Sequence, residues 1–155
     1  IRSRANIRGY FRNPETTAQE FVDGFWKSGD LGFRDPRGFI TIVDRKKDMV
    51  ITGGFNVYAI EVESAINAHP AVSNSAVVGV PHPEWGEAVH AEVVLKPGNE
   101  ATDDEVIAFV KGRIGKHKAP KTIAFVSDLP LSAAHKVLRR TVRDKYWAGK
   151  DRRVG

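Results

Sequence analysis

The chain comprises 155 residues, 41% of them hydrophobic, with a net charge of +5 and no cysteine. Such a length buries about two-thirds of the surface its unfolded form exposes, so a core forms without staples, and disulfides, thiolate metal sites and a cysteine nucleophile are excluded. The positive charge favours anionic partners without choosing among them; apolar runs such as Ala76 to Val80 fall far short of the about 18 residues that span a bilayer, so a soluble chain is expected, and the lack of cysteine is compatible with an intracellular origin.

Ile1-Arg2-Ser3-Arg4 reads like the middle of a strand, which suggests a piece of something longer. From Gly9 to Phe25 the segment around Pro14 reads as a connector entering a short helical turn. Leu31 to Asp44 reads as a hairpin, because Phe33, Phe39, Ile40 and Ile42 flank Asp35-Pro36-Arg37-Gly38, with proline and glycine at the turn positions that favour them. The charged run Asp44-Arg45-Lys46-Lys47-Asp48 is the expected domain boundary, dividing residues 1–44 from 45–155. Met49 to Thr52 is then a strand and Gly53-Gly54 a turn. Ala59 to Ala68 follows as an amphipathic helix burying Ile60 and Ile66 and stopping near Pro70. Ser75 to Val80 and Val89 to Leu95 read as strands; Pro97-Gly98 ends the second, and Thr102 with Glu105 forms a capping box for a helix through Ile114. A strand from Thr122 to Val126 and a helix from about His135 to Trp147 complete an α+β pattern: a small mixed sheet with packed helices, preceded by a hairpin-rich part of a neighbouring domain.

Several residues suit ligand chemistry, each with a plainer alternative. Asp30 could accept two hydroxyl hydrogen bonds from a ribose, or cap a turn. Gly53 and Gly54 leave the backbone open to close approach, or simply make a tight turn. Trp85 could stack on an adenine or pack over the sheet edge. Lys116, Lys118 and Lys121 could hold phosphates as point charges, or form a solvated face. In the last helix Lys136, Arg139, Arg140 and Arg143 make a basic stripe opposite Leu138, Val142 and Tyr146. No nucleic-acid module accompanies that stripe. The histidines lack metal-ligand spacing, and no Gly-x-Ser-x-Gly elbow or Gly-x-x-x-x-Gly-Lys-Ser/Thr loop is present.

Six motifs in order resemble the adenylate-forming family of acyl-CoA synthetases, luciferases and peptide-synthetase adenylation domains. They are Gly24-Phe25-Trp26-Lys27-Ser28-Gly29-Asp30-Leu31-Gly32; Asp44 through Tyr58; Glu61-Val62-Glu63; Val78-Gly79-Val80-Pro81 with Trp85-Gly86-Glu87; Lys118-Ala119-Pro120-Lys121; and Lys136-Val137-Leu138-Arg139-Arg140. The resemblance covers nearly the whole chain and implies the C-terminal lid domain of such an enzyme, preceded by the end of its large N-terminal domain. Members activate a carboxylic acid with ATP to an acyl-adenylate, then pass the acyl group to a thiol, commonly that of CoA, and the lid rotates between the two steps.

By that resemblance Asp30 and Arg45 bind the ribose of ATP or AMP, Lys47 is the hinge pivot, and Lys136 stabilises developing charge during adenylation. Gly53 and Gly54 line the passage for the pantetheine thiol, while Trp85, Lys118 and Lys121 serve the nucleotide end of CoA. His135 stands where the family often has glycine, and Ala119 where some relatives have arginine. The implied partners are Mg2+, ATP, CoA and a small carboxylic acid, fatty or aryl, with no nucleic acid and no transmembrane segment; the implied location is cytoplasmic or membrane-peripheral. The phosphate loop and the Tyr-Gly-x-Thr-Glu segment of the family have no counterpart in these residues, so the chain alone is expected to be inactive and to require no cofactor. The alternatives are a stand-alone polyanion-binding or regulatory module, whose affinity would fall steeply with salt, and the lid of an adenylation domain that serves a carrier protein.

Overall fold

Asn13 opens the first helix: its side chain accepts the Thr16 N–H at 3.0 Å, and Pro14 at the first position costs no hydrogen bond there. In this computed structural model residues 1–149 are described, and the chain divides into two units, Ile1–Arg45 and Lys46–Gly155. Within the first unit α1 (Pro14–Glu20) leads into β1 (Phe21–Val22), which pairs antiparallel with β2 (Phe25–Trp26). The expected helical turn is α1, and the remainder of the segment read as a connector is a small hairpin. Each strand is only two residues long, too short for alternation to register. The second hairpin, β3 (Asp30–Arg34) with β4 (Ile40–Arg45), turns at the expected place, where the Gly38 N–H reaches the Asp35 carbonyl at 2.9 Å.

The second unit is built on one sheet. β5 (Val50–Thr52) and β6 (Phe55–Val57) form a hairpin across Gly53-Gly54, whose φ values of +54° and +83° suit the primed turn that matches strand twist. The three-residue β6 is not foreseen from sequence. After α2 (Ala59–Asn67), β7 (Val72–His82) and β8 (Gly86–Leu95) pair antiparallel along nearly their whole length. Thr102 and Glu105 close the expected capping box on α3 (Asp103–Ile114). β9 (Thr122–Phe125) then runs parallel to β8, and α4 (Arg139–Tyr146) ends the described fold. No helix among the described residues is long and apolar enough to cross a membrane.

The sheet order is β6-β5-β8-β7, with β9 also against β8. One edge of β8 belongs to β7. The other is shared: β5 meets it at Gly86 through Thr52, and β9 takes it over from His90 to Val93. Alternation separates the two faces. Val77, Val89, Ala91 and Val93 join Val62, Ile66, Val106 and Val110 in the larger core beneath α2 and α3. Ala76 and Val78 meet Leu129 and Val142 beneath α4.

Two sequence expectations are corrected here. Ile60 is 48% exposed: the buried stripe of α2 runs through Ala59, Val62 and Ile66, and Ile60, about 100° round the helix from Ala59, points to water. The last helix starts at Arg139 rather than near His135, because residues 131–137 close on themselves through a Leu131–Val137 bridge. His135 sits in the left-handed region at φ 56°, which a helix cannot include.

Candidate functional site

In the first unit, β3 and β4 place Asp30 and Arg45 directly opposite each other. The Arg45 Nε lies 3.5 Å from Asp30 Oδ1, and both side chains reach solvent, Arg45 more than Asp30. The Asp30 N–H is taken by Ser28 Oγ at 3.3 Å, leaving the carboxylate to face outward. An acidic acceptor beside a cationic donor matches a vicinal diol, whose hydroxyls can donate to the first and accept from the second. Asp44, part of the charged run expected to be solvated, is instead 6% exposed, and its Oδ1 accepts the Arg45 N–H at 2.7 Å.

In the second unit, three residues remote in sequence meet where β5 gives way to β9 along β8. The Gly53 N–H points to the Trp85 carbonyl at 3.4 Å, and the Lys121 N–H to the Val89 carbonyl at 2.8 Å. The Lys121 ammonium stands 5.1 Å from the centroid of the Trp85 ring, within cation–π range. His82 stacks on the same indole at 4.1 Å and 7°, and its Nδ1 faces the N–H groups of Glu84 and Trp85, each at 3.3 Å. One face of Trp85 is thus already covered, while the residue keeps 38% of its surface exposed. A Cβ at Gly54 would meet nothing within 4 Å, so the glycines are required by the turn's positive φ rather than by crowding.

Phe55, next to those glycines, packs on His117 at 5.4 Å and so draws the 116–118 loop to the same end of the sheet. Lys118 does not join Lys121 as a free phosphate donor: its Nζ is bound to Glu61 at 2.6 Å. Ala119 is buried in the core.

Lys136 leaves the returning arm of the closed loop, next to the Leu131–Val137 bridge. The Ser132 N–H bonds the Lys136 carbonyl at 2.8 Å, and the Lys136 N–H bonds Ser132 Oγ at 3.1 Å. Its ammonium has no hydrogen bond or ion pair among the described residues, and the side chain is exposed. What fixes the loop is α4. Arg139 donates from Nε to Glu63 Oε1 at 2.7 Å, from Nη2 to Glu63 Oε2, and from Nη1 to Asp48 Oδ2 at 3.2 Å. Lys145 reaches both oxygens of the buried Glu92 at 2.9 Å, and the Trp147 Nε1–H reaches the Gly79 carbonyl at 2.8 Å.

His90 adds a polar chain beneath α4. Glu92, as a carboxylate, only accepts, so the Tyr146 hydroxyl donates to it at 3.1 Å. The His90 Nε2–H must then donate to the Tyr146 oxygen at 2.8 Å, and Nδ1 accepts from the Thr122 hydroxyl at 2.7 Å. Burial holds the His90 pKa below its ordinary value, against a smaller opposing pull from Glu92. Burial also pushes the Tyr146 phenol up to about 12, with help from Glu92.

Of the basic stripe read from helical spacing, Arg139 and Arg143 are spent inside the fold, whereas Lys136 and Arg140 stay exposed. Arg139 and Lys145 hold carboxylates, and Arg143 donates to the Lys47 carbonyl at 3.3 Å. Sequence reasoning did not foresee the roles of Arg139, Glu63 and Asp48; their spacing of 76 and 91 residues carries no local signal, although a lone Glu on the buried side of α2 hints at a buried partner. No group of three or more His, Cys, Asp or Glu among the described residues could hold a metal ion, so none of them is assigned to Mg2+.

Residues 61–136 match the family described as the AMP-binding enzyme C-terminal domain. The chain is 46% identical over 154 residues to the medium/long-chain-fatty-acid–CoA ligase FadD8 of Mycobacterium tuberculosis, covering 95% of this chain and 27% of that protein. It is 43% identical over 139 residues to a long-chain-fatty-acid–CoA ligase of Bacillus subtilis, covering 90% and 25%. The crystal structure of ATP-bound MatB from Rhodopseudomonas palustris superposes with a TM-score of 0.83 at 46% identity, covering 93% of this chain and 29% of that one. The chain thus spans less than a third of the length of each of these relatives.

Proposed function

Because the chain belongs, through residues 61–136, to the C-terminal domain family of AMP-binding enzymes, we propose that it forms the lid and hinge of an ATP-dependent acid:CoA ligase acting on a fatty or aryl acid. The observation that carries this reading is Lys136: an exposed ammonium, unpartnered among the described residues, on the returning arm of a closed loop and braced three residues later by Arg139. A flexible cation on a fixed base can reach into a neighbouring domain without losing its position. During adenylation it would face the substrate carboxylate and the α-phosphate, where negative charge builds as pyrophosphate leaves. One preorganised donor of this kind is worth about 3 to 4 kcal/mol, or roughly a hundredfold to a thousandfold in rate.

Asp30 and Arg45 would receive the ribose hydroxyls. A turn of the backbone at Lys47 would then exchange Lys136 for the Gly53-Gly54 hairpin, which has no side chain to obstruct a pantetheine thiol. Lys121, beside Trp85, would meet a CoA phosphate. Lys118, already bound to Glu61, contributes to that end only if the pair opens. CoA is the proposed acceptor rather than a carrier protein, because an indole beside an exposed lysine suits an adenine nucleotide. The large N-terminal domain, with the acyl pocket and the phosphate loop, is the proposed partner, and the 155 residues alone are proposed not to form an adenylate.

The test is Lys136→Ala in the complete enzyme, with the two half-reactions assayed separately. Acid-dependent pyrophosphate exchange should fall a hundredfold or more, while thioester formation from supplied acyl-adenylate and CoA stays within a few fold. Undiminished exchange would remove Lys136 from the reaction, and exchange catalysed by the isolated chain would refute the proposed dependence on a partner domain.

A further inference from the structure

The peptide linking Lys47 to Asp48 is held to the second unit on both sides. Arg143 donates to its carbonyl at 3.3 Å, and Arg139, one turn earlier on α4, donates to the Asp48 carboxylate at 3.2 Å. Arg139 is itself locked on Glu63, whose Oε1 also accepts the Val77 N–H from β7 at 2.9 Å. Arg143 is steadied by Asp144, with Nη2 3.6 Å from its Oδ1. The side chains of Arg139, Arg143 and Asp48 are only 21, 19 and 18% exposed, so water competes weakly for these bonds. They line a narrow crevice with Lys47, Val78 and Gly79.

A peptide unit is planar, with a barrier of about 18–20 kcal/mol to rotation about its C–N bond. The carbonyl of Lys47 and the N–H of Asp48 therefore move as one body. With that body pinned by Arg143 and the next side chain pinned by Arg139, the first soft torsion met on leaving the lid toward the N-terminus is ψ of Lys47. We infer that Arg143 and Arg139 form a clasp that fixes the Lys47–Asp48 peptide to the lid and confines the swivel to Lys47 and the residues before it. This rests on the reading of Lys47 as the pivot and adds where the swivel stops and which side chains stop it. Both arginines are positioning residues. Since α4 begins three residues after Lys136, the same clasp ties the orientation of the lysine loop to the plane of the pivot peptide.

The amide of Asp48 lies in the clasped plane, so its 15N relaxation in the 155-residue chain reports on the clasp directly. In the wild type its order parameter should sit near about 0.85, as in rigid backbone, whereas in Arg143→Met it should fall toward about 0.6. Arg143→Lys, which keeps a donor, should restore most of the loss. Asp48→Asn, which weakens the other anchor without touching α4, should loosen the same amide to a smaller degree. An Asp48 amide that stays rigid in Arg143→Met, or one that in the wild type is already as mobile as that of Lys46, overturns the clasp. The pivot itself is read from the rotational correlation times of the two units in the same data: unequal times support it, and equal times, as for one rigid body, would overturn it whatever the Asp48 amide does.

Discussion

Arg139 and Glu63 meet fork to fork, a guanidinium on α4 closing both oxygens of a carboxylate on α2 across 76 residues of chain. Removing Glu63 leaves Arg139 with Asp48 alone and the Val77 N–H without its acceptor in a largely dry place, and breaking a buried pair costs about 3 to 5 kcal/mol. Glu63→Ala should therefore lower the urea stability of the second unit by that order. The paired replacement Glu63→Leu with Arg139→Met should cost much less than the sum of the single changes. A loss below about 1 kcal/mol for Glu63→Ala would mean that α4 is held by something else.

His135 is exposed and carries φ 56° immediately before Lys136. A side chain there costs about 1 to 2 kcal/mol, and glycine gives back roughly 0.5 to 1 kcal/mol through its freer unfolded state. His135→Gly should thus raise stability by up to about 1 kcal/mol, seen as a thermal midpoint a few degrees higher. His135→Val should lower it. If glycine leaves the midpoint unmoved, the loop is not strained at this position.

Stability should decline on both sides of neutral pH through the polar chain under α4. For His90 the folded pKa lies below 6.5, so between that lowered value and 6.5 the unfolded chain binds more protons and stability drops as pH falls. For Tyr146 the folded pKa is about 12 against 10.0 in the unfolded chain, so the folded state holds the proton longer and stability drops as pH rises above 10.0. Urea stability measured from pH 7.5 down to 5.5 should show the acid slope, and His90→Gln should flatten it. An identical slope in that variant would assign the acid sensitivity to other groups.

Much of this architecture can be read along the chain. α3 starts at the capping box because Thr102 and Glu105 sit three residues apart, and β7, β8 and β9 stand where β-branched residues cluster. The glycine pair marks its turn because only positive φ joins strands that closely. What escapes is of two kinds. β1, β2 and β6 are too short to show a period, and their existence depends on the neighbour they pair with. The fate of the charges escapes for a different reason: helical spacing gathers Arg139, Arg140 and Arg143 on one stripe, but whether a stripe meets water or carboxylates is decided by a strand or helix many residues away. The ion pair of Lys118 with Glu61 and the burial of Asp44 are hidden in the sequence by the same logic. Lys136 is legible as a motif; the bracing that makes its loop a fixed platform is visible only in three dimensions.

Along β8, the edge that passes from β5 to β9 sets the register of the hairpin at Gly53, the loop at Trp85 and the strand that follows Lys121. Their mutual positions are inherited from one strand rather than negotiated among three loops. Length changes elsewhere, such as insertions at the Pro97-Gly98 turn at the far end of β8, would leave that corner undisturbed. The second unit is in this sense modular: side chains at the seam can be changed singly, and peripheral loops in length, without either altering the other.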